Sequence, residues 1–236
     1  MSPKPKSSIV VTIDGPAASG KSTTARRLAR LLGWMYLDTG AMYRAMTVKV
    51  LDHHIPLEDT EAISRLAETT EINLISTSNE TRVWIDGIDR TDEIRNPAVD
   101  RAVGPVCEVP RVRELMVGFQ RRLAEKRCLI AEGRDMGTVV FPGADLKFFM
   151  VASVEERTQR RQKDMLKQNI QISLKELEAE IRKRDERDSR RSQSPLKPAE
   201  DAVLVDTTRL TPEEQVDLIL KHIQNITAGM EHSGPK

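Results

Sequence analysis

One octapeptide constrains this chain more than any other stretch: Gly15-Pro16-Ala17-Ala18-Ser19-Gly20-Lys21-Ser22, which fits the pattern G-x-x-x-x-G-K-[ST]. Before it, Ile9, Val10, Val11 and Ile13 form the β-branched run expected of a buried strand. After it, Ala25, Leu28, Ala29 and Leu32 recur at the spacing of one apolar helix face. Strand, glycine loop and helix thus follow the order a phosphate-binding loop requires. Gly15 and Gly20 let successive N–H groups turn inward onto phosphate oxygens, and the helix N-terminus adds its positive dipole end. Lys21 can reach the β- and γ-phosphates, and the Ser22 hydroxyl can ligate Mg²⁺. The chain therefore reads as one that binds a nucleoside triphosphate. What it does with that ligand must be read from other residues.

Five short apolar runs separated mostly by helical patterns predict an α/β fold with a five-stranded parallel sheet covered on both faces. They are Ile9–Ile13, Trp34–Asp38, Cys128–Ala131, Leu146–Val151 and Ala202–Val205. Ligands gather beyond the carboxyl ends of such strands. That rule puts the glycine loop, Asp38-Thr39, Glu132-Gly133-Arg134-Asp135 and Asp206-Thr207 on one rim, with Thr39 capping the helix that follows it. The runs 72–75, 81–85 and 88–90 predict a small antiparallel meander. It turns at Ser78-Asn79-Glu80 and at Asp86-Gly87, the second a hairpin signal. Pro97, Pro105 and Pro110 read as punctuation before a helix over 111–126. Two charged helices are predicted over 154–167 and 174–191. The last helix opens on a Thr211/Glu214 capping box with Pro212 at its first position, and buries Val216, Ile219, Leu220 and Ile223.

On the second charged helix, Arg184, Arg187, Asp188 and Arg191 fall within an arc of about 100°. Three guanidiniums and one carboxylate on one face suit a site that grips phosphates and a hydroxyl-bearing group. A solvated face held by ion pairs is the plainer alternative. Ser192-Gln193-Ser194-Pro195 beyond it suggests a loop on which a closing lid could end. On the strand-end tetrapeptide, Glu132 could hold Mg²⁺ through water, Arg134 a phosphate, and Asp135 a base amino group. A turn whose acids cap the next element is the competing reading.

The bulk numbers exclude several classes. A net charge of +1 gives no overall field toward nucleic acid or membrane, and 3% aromatic content leaves few stacking platforms for single strands. Two cysteines, Cys107 and Cys128, build neither a disulfide framework nor a zinc site. A cytoplasmic protein is expected, and residues 1–8 and 229–236 read as disordered tails.

These residues reach a known family. The chain resembles the bacterial cytidylate kinases, nucleoside monophosphate kinases of the P-loop group. The resemblance rests on Thr12-Ile13-Asp14-Gly15-Pro16, Gly20-Lys21-Ser22, the run Leu37 to Arg44, Pro110 to Arg113, the run Gly133 to Pro142, and Arg184 to Asp188. It implies transfer of the γ-phosphoryl of ATP to CMP or dCMP with Mg²⁺, by a monomer that engages neither nucleic acid nor membrane. It also implies a kinase core (9–64, 106–153 and 194–228), an inserted monophosphate lobe (65–105) and a lid (154–193). On this resemblance Gly15 through Ser22, with Thr23 and Arg160, would hold the donor, and Ser22 with Glu132 the metal. Thr39, Arg44, Arg134 and Arg191 would hold the acceptor phosphate, and Arg113 and Asp135 the cytosine. Arg184 and Asp188 would serve ribose and phosphates. Lys21, Arg134, Arg184 and Arg191 are the implied catalytic cations. One departure stands out: where the family usually offers the cytosine a serine, this chain has Gly104. From the glycine loop alone, a kinase for another small molecule, a GTPase switch or a nucleic-acid-associated module stays open. No N-K-x-D guanine-reading segment occurs.

Overall fold

The computed structural model describes residues 8–76, 81–125, 127–167 and 170–231. Residues 1–7 and 232–236 of the expected tails, and the expected turn at Ser78-Asn79-Glu80, lie outside them. In chain order the elements are β1 (Val10–Asp14), α1 (Lys21–Leu32), β2 (Met35–Asp38), α2 (Thr39–Asp52), α3 (Thr60–Thr69), β3 (Ile72–Ser76), β4 (Thr81–Ile85) and β5 (Ile88–Asp89). A 3₁₀ turn (Glu93–Arg95) leads to α4 (Pro97–Glu108), α5 (Pro110–Leu123), β6 (Leu129–Gly133) and a π-turn (Met136–Val140). Then come β7 (Leu146–Val151), α6 (Val154–Lys167), α7 (Leu174–Arg190), β8 (Val203–Asp206) and α8 (Pro212–Glu231). The larger sheet has five strands in the order β2-β6-β1-β7-β8, and β3-β4-β5 form the small antiparallel sheet. The chain divides into two compact units, residues 35–125 and the remainder.

In the unit formed by the two chain ends, β1 runs parallel to β6 and β7, and β7 to β8. All five residues of β1 and of β6 are buried. That is why these strands read as continuous apolar runs rather than alternating ones. Helix α1 buries Ala25, Leu28 and Ala29, and α8 buries Val216, Ile219 and Ile223; the two helices pack together. Gly33 closes α1 in the left-handed region, φ +65°, with its N–H on the last carbonyls. The Thr211/Glu214 box forms as the sequence predicts. Helix α8 continues to Glu231, into the stretch read as a tail.

In the 35–125 unit, α2 is buried along nearly its whole length and packs on α4, the 3₁₀ turn and the small sheet. Its cap is Asp38, whose Oδ1 accepts the Ala41 N–H at 3.0 Å; Thr39, the expected cap, is the first helical residue. Asp86 and Gly87 both take positive φ, +50° and +80°, the signature of the tight hairpin turn. Pro105 does not break the chain. It sits with Gly104 inside α4, which starts at Pro97 behind an Asn96 cap. Proline removes one N–H and crowds the carbonyl four residues back, but α4 has only three residues beyond it to lose. Among the described residues no helix is long and apolar enough to cross a membrane.

Candidate active site

The parallel register brings the ends of β1, β6 and β8 to one edge, so the glycine loop, Glu132 to Asp135 and Asp206-Thr207 share a rim as expected. The loop turns through Gly15 (φ +153°), Ala18 (+59°) and Gly20 (+94°). A Cβ on Gly15 would stand 2.1 Å from the Met150 carbonyl oxygen, and one on Gly20 2.5 Å from Gln215 Oε1. Gln215 in turn accepts the Thr24 hydroxyl at 2.9 Å, fixing the loop's exit into α1. Gly15→Ala therefore meets backbone, which cannot swing aside. We expect a loss of about 3 kcal/mol from overpacking and strain, read as a melting midpoint roughly 10 °C lower.

Lys21 is buried, with Nζ donating to the Pro16 carbonyl at 3.2 Å. The Ser22 hydroxyl donates to Glu132 Oε2 at 2.6 Å, so the two residues expected to serve a metal stand together. A hydroxyl and a carboxylate are hard oxygen donors, and Mg²⁺ takes few protein ligands beside phosphate and water. Their chemistry fits that ion.

Around α7 the buried face runs Leu177, Ile181, Asp188, with Arg184 half-buried beside it. Arg187, counted on this face from the sequence, is exposed: the arc was drawn one residue too wide. The Asp188 carboxylate is the hub. Its Oδ2 accepts Arg134 Nε at 2.8 Å and its Oδ1 pairs with Arg191 Nη2 at 2.6 Å. Burial alone would push this carboxyl up, but Arg134, Arg191 and Arg184 together outweigh it and hold Asp188 below the usual carboxylate range. Arg160 is tied to the rim, its Nη2 on the Thr207 carbonyl at 2.7 Å and its Nε on Glu156 at 2.8 Å. The Thr207 hydroxyl reaches the Ser19 carbonyl at 2.8 Å. Thr23 is exposed on the first turn of α1, beside the loop.

Asp135 is buried, and its side chain does not cap the π-turn. That job falls to Asp14, which sequence reasoning quoted in a motif and gave no role. Asp14 Oδ1 accepts the Met136 N–H at 2.9 Å and Oδ2 the Gly137 N–H at 2.8 Å. Burial pushes its carboxyl up to about 6, against the pull of those two amides. A second omission is Arg157, buried on α6. Its guanidinium grips Asp185 of α7 through both nitrogens at 3.0 and 2.7 Å, and reaches the Ala17 carbonyl at 3.4 Å. The sequence signals are an acid at the end of an apolar strand and an arginine on a helix rich in charge.

In the 35–125 unit, Thr39 is buried at the start of α2. Arg44 pairs with Asp100 of α4 at 2.5 Å and donates to the Ile94 carbonyl at 3.3 Å. Arg113, buried on α5, lies 5.6 Å over the Tyr43 ring and donates to the Cys107 carbonyl at 3.4 Å. Gly104 is buried within α4.

A parallel sheet that opens on a glycine loop, with a lysine at the loop and arginines gathered on one carboxylate at the same rim, is built to handle phosphoryl groups. The class is a P-loop phosphotransferase. Comparison with known proteins makes it particular: residues 11–225 match the family described as cytidylate kinase, and the chain belongs to that family. The cytidylate kinase of Caldanaerobacter subterraneus subsp. tengcongensis is 46% identical over 94% of this chain and 97% of its own length. That of Carboxydothermus hydrogenoformans is 46% identical over 90% of this chain and 96% of its own. A bifunctional pantoate ligase/cytidylate kinase of a Synechococcus strain is 47% identical over 96% of this chain, which spans 42% of that longer protein. As a family member the chain is a nucleoside monophosphate kinase that phosphorylates CMP or dCMP from ATP.

Proposed function

We propose that this activity is carried out by the residues as follows. The amides of Gly15 through Ser22, extended by Thr23, cradle the donor phosphates, Arg160 supports the donor side, and Lys21 meets the transferring group. Ser22 and Glu132 hold Mg²⁺, which supplies charge neutralisation on the donor phosphates when bound. Arg134, Arg184 and Arg191 neutralise the transferring and acceptor phosphates, and Asp188 accepts from the ribose. Thr39 and Arg44 take the acceptor phosphate, Arg113 and Asp135 the base.

The observation that supports this most is the Asp188 hub, a buried carboxylate of α7 paired with Arg134 and Arg191 and lying in the field of Arg184. A phosphate monoester has a second pKa of about 6, so its oxygen is largely anionic at pH 7 and needs no strong general base. The barrier lies in bringing two polyanions together with water excluded, and preset guanidiniums lower it by charge rather than by proton transfer. Every residue in this reading comes from one chain, so activity requires no second copy, and a monomer is the expected form; light scattering across a concentration series checks that.

A panel of CMP, dCMP, UMP, AMP and GMP with ATP, followed by ADP release, tests the acceptor. CMP and dCMP are expected to lead, with UMP closer behind than a serine at position 104 would allow. Asp135→Ala is expected to raise KM for CMP about tenfold more than KM for ATP. Equal effects on both would reduce Asp135 to a turn residue.

A further inference from the structure

We infer that Asp14 is a positioning residue for the acceptor side of the site, setting Arg134 and Asp135 through the two amides that follow them. The inference rests on the acceptor roles proposed above for those two residues. Asp14 is the last residue of β1, directly before Gly15. Its two oxygens are each spent on one backbone N–H, Met136 at 2.9 Å and Gly137 at 2.8 Å. Those amides open the π-turn, where helical N–H groups lack partners of their own and an anion is favoured. The turn closes on the same short segment: the Asp135 carbonyl accepts from Val139 at 2.9 Å and Val140 at 3.1 Å, and the Met136 carbonyl from Phe141 at 2.7 Å. The peptide units around Asp135 are therefore held from both sides, with Asp14 supplying a side-chain anchor at the turn's start. One residue earlier, Arg134 extends to Asp188.

A simple cap would be satisfied by many side chains, but this geometry is not. Two adjacent amides point at two oxygens of one group, which is 4% exposed. Asparagine keeps the shape yet offers one acceptor and a donor that faces an amide N–H. Glutamate keeps both acceptors but is one methylene too long for a close-packed site. Because β1 also leads into the glycine loop, Asp14 ties the donor loop and the acceptor segment to one strand end. It touches neither substrate in this reading.

The test compares Asp14→Asn with the wild type by three measurements. Steady-state kinetics should show kcat/KM for CMP falling about 10²-fold, as small misplacements of reacting groups do. Equilibrium binding of ATP should change less than twofold. Hydrogen exchange across 134–141 should quicken about tenfold or more while 15–22 stays protected. A structural role alone would move CMP and ATP parameters together, and that result, or unchanged CMP kinetics, overturns the inference. Gly137→Ala approaches from the other partner and covers the case of a variant that does not fold. Its Cβ would crowd Thr12 Oγ1 at 3.1 Å and Lys147 Cδ at 3.2 Å, pressing the amide off a carboxylate left intact. It should reproduce the same split between CMP and ATP at smaller size, and its absence there counts equally against the inference. Arg134→Ala separates the two layers. If it leaves KM for CMP unchanged, the acceptor reading fails; if it raises KM and the Asp14 and Gly137 variants do not, this inference fails.

Discussion

Lys21→Ala folds normally and loses about 10²–10³-fold or more in kcat at saturating CMP and ATP. Two effects compete at this position. In the folded protein the ammonium donates to the Pro16 carbonyl at 3.2 Å, and losing that bond costs about 1 kcal/mol of stability. In the transition state the same charge meets a phosphoryl group whose negative charge is spread over its equatorial oxygens. Removing one preset donor there costs roughly 3–4 kcal/mol. The barrier term wins, so the variant should melt close to the wild type while turning over far more slowly. Lys21 is 7% exposed, which places it where water cannot replace it. Lys21→Arg keeps the charge but brings a planar fork where the loop holds a compact head, and should recover little. The check is kcat beside a thermal melt; a rate within tenfold of normal would remove Lys21 from the mechanism.

What could be read in advance divides along the range of the interactions. The glycine loop is local: its dihedrals, its preceding strand and its following helix are all set within about 25 residues, and each formed as read. The capping box at Thr211 is local too. Helix α4 is not legible in the sequence because Pro97, Pro105 and Pro110 read as punctuation, while burial of Val99, Ala102, Val103 and Val106 outweighs the lost N–H. Thr39 lost the cap to Asp38 because two adjacent residues can both cap and only the backbone decides which stands at the boundary. The partners of Asp14 and Arg157 are 122 and 28 residues away, so no periodicity announces them. Arg187 shows the limit of an ideal 100° wheel: α7 turns it out to solvent while Arg184, Asp188 and Arg191 turn inward. Family resemblance could point to Arg134, Arg191 and Asp188 separately. Only coordinates show the carboxylate serving as counter-ion to both arginines.

That pairing makes Asp188→Asn the second large effect, and one that substrate partly reverses. Asp188 neutralises Arg134 and Arg191 within 2.8 Å, with Arg184 close by. Asparagine fits the space but removes the charge, leaving part-buried guanidiniums that repel each other. Breaking such a pair costs roughly 3 kcal/mol, or a midpoint about 6–12 °C lower. The sign with pH follows from the direction of the shift. The folded Asp188 carboxyl lies below its ordinary 3.8, so its stabilisation is complete above that value and fades as pH falls further. The variant should therefore lose the part of the wild type's acid sensitivity that lies below pH 4. Binding of CMP brings a phosphate to the same arginines and supplies the missing negative charge. CMP should thus raise the midpoint of Asp188→Asn by several degrees more than that of the wild type, even while kcat falls, because the ribose contact and the preset spacing of the cations are gone. An equal or smaller rise in the variant would mean that Asp188 does not share its arginines with the acceptor phosphate. The hub would then be a structural ion pair beside the site rather than the counter-ion that the substrate displaces.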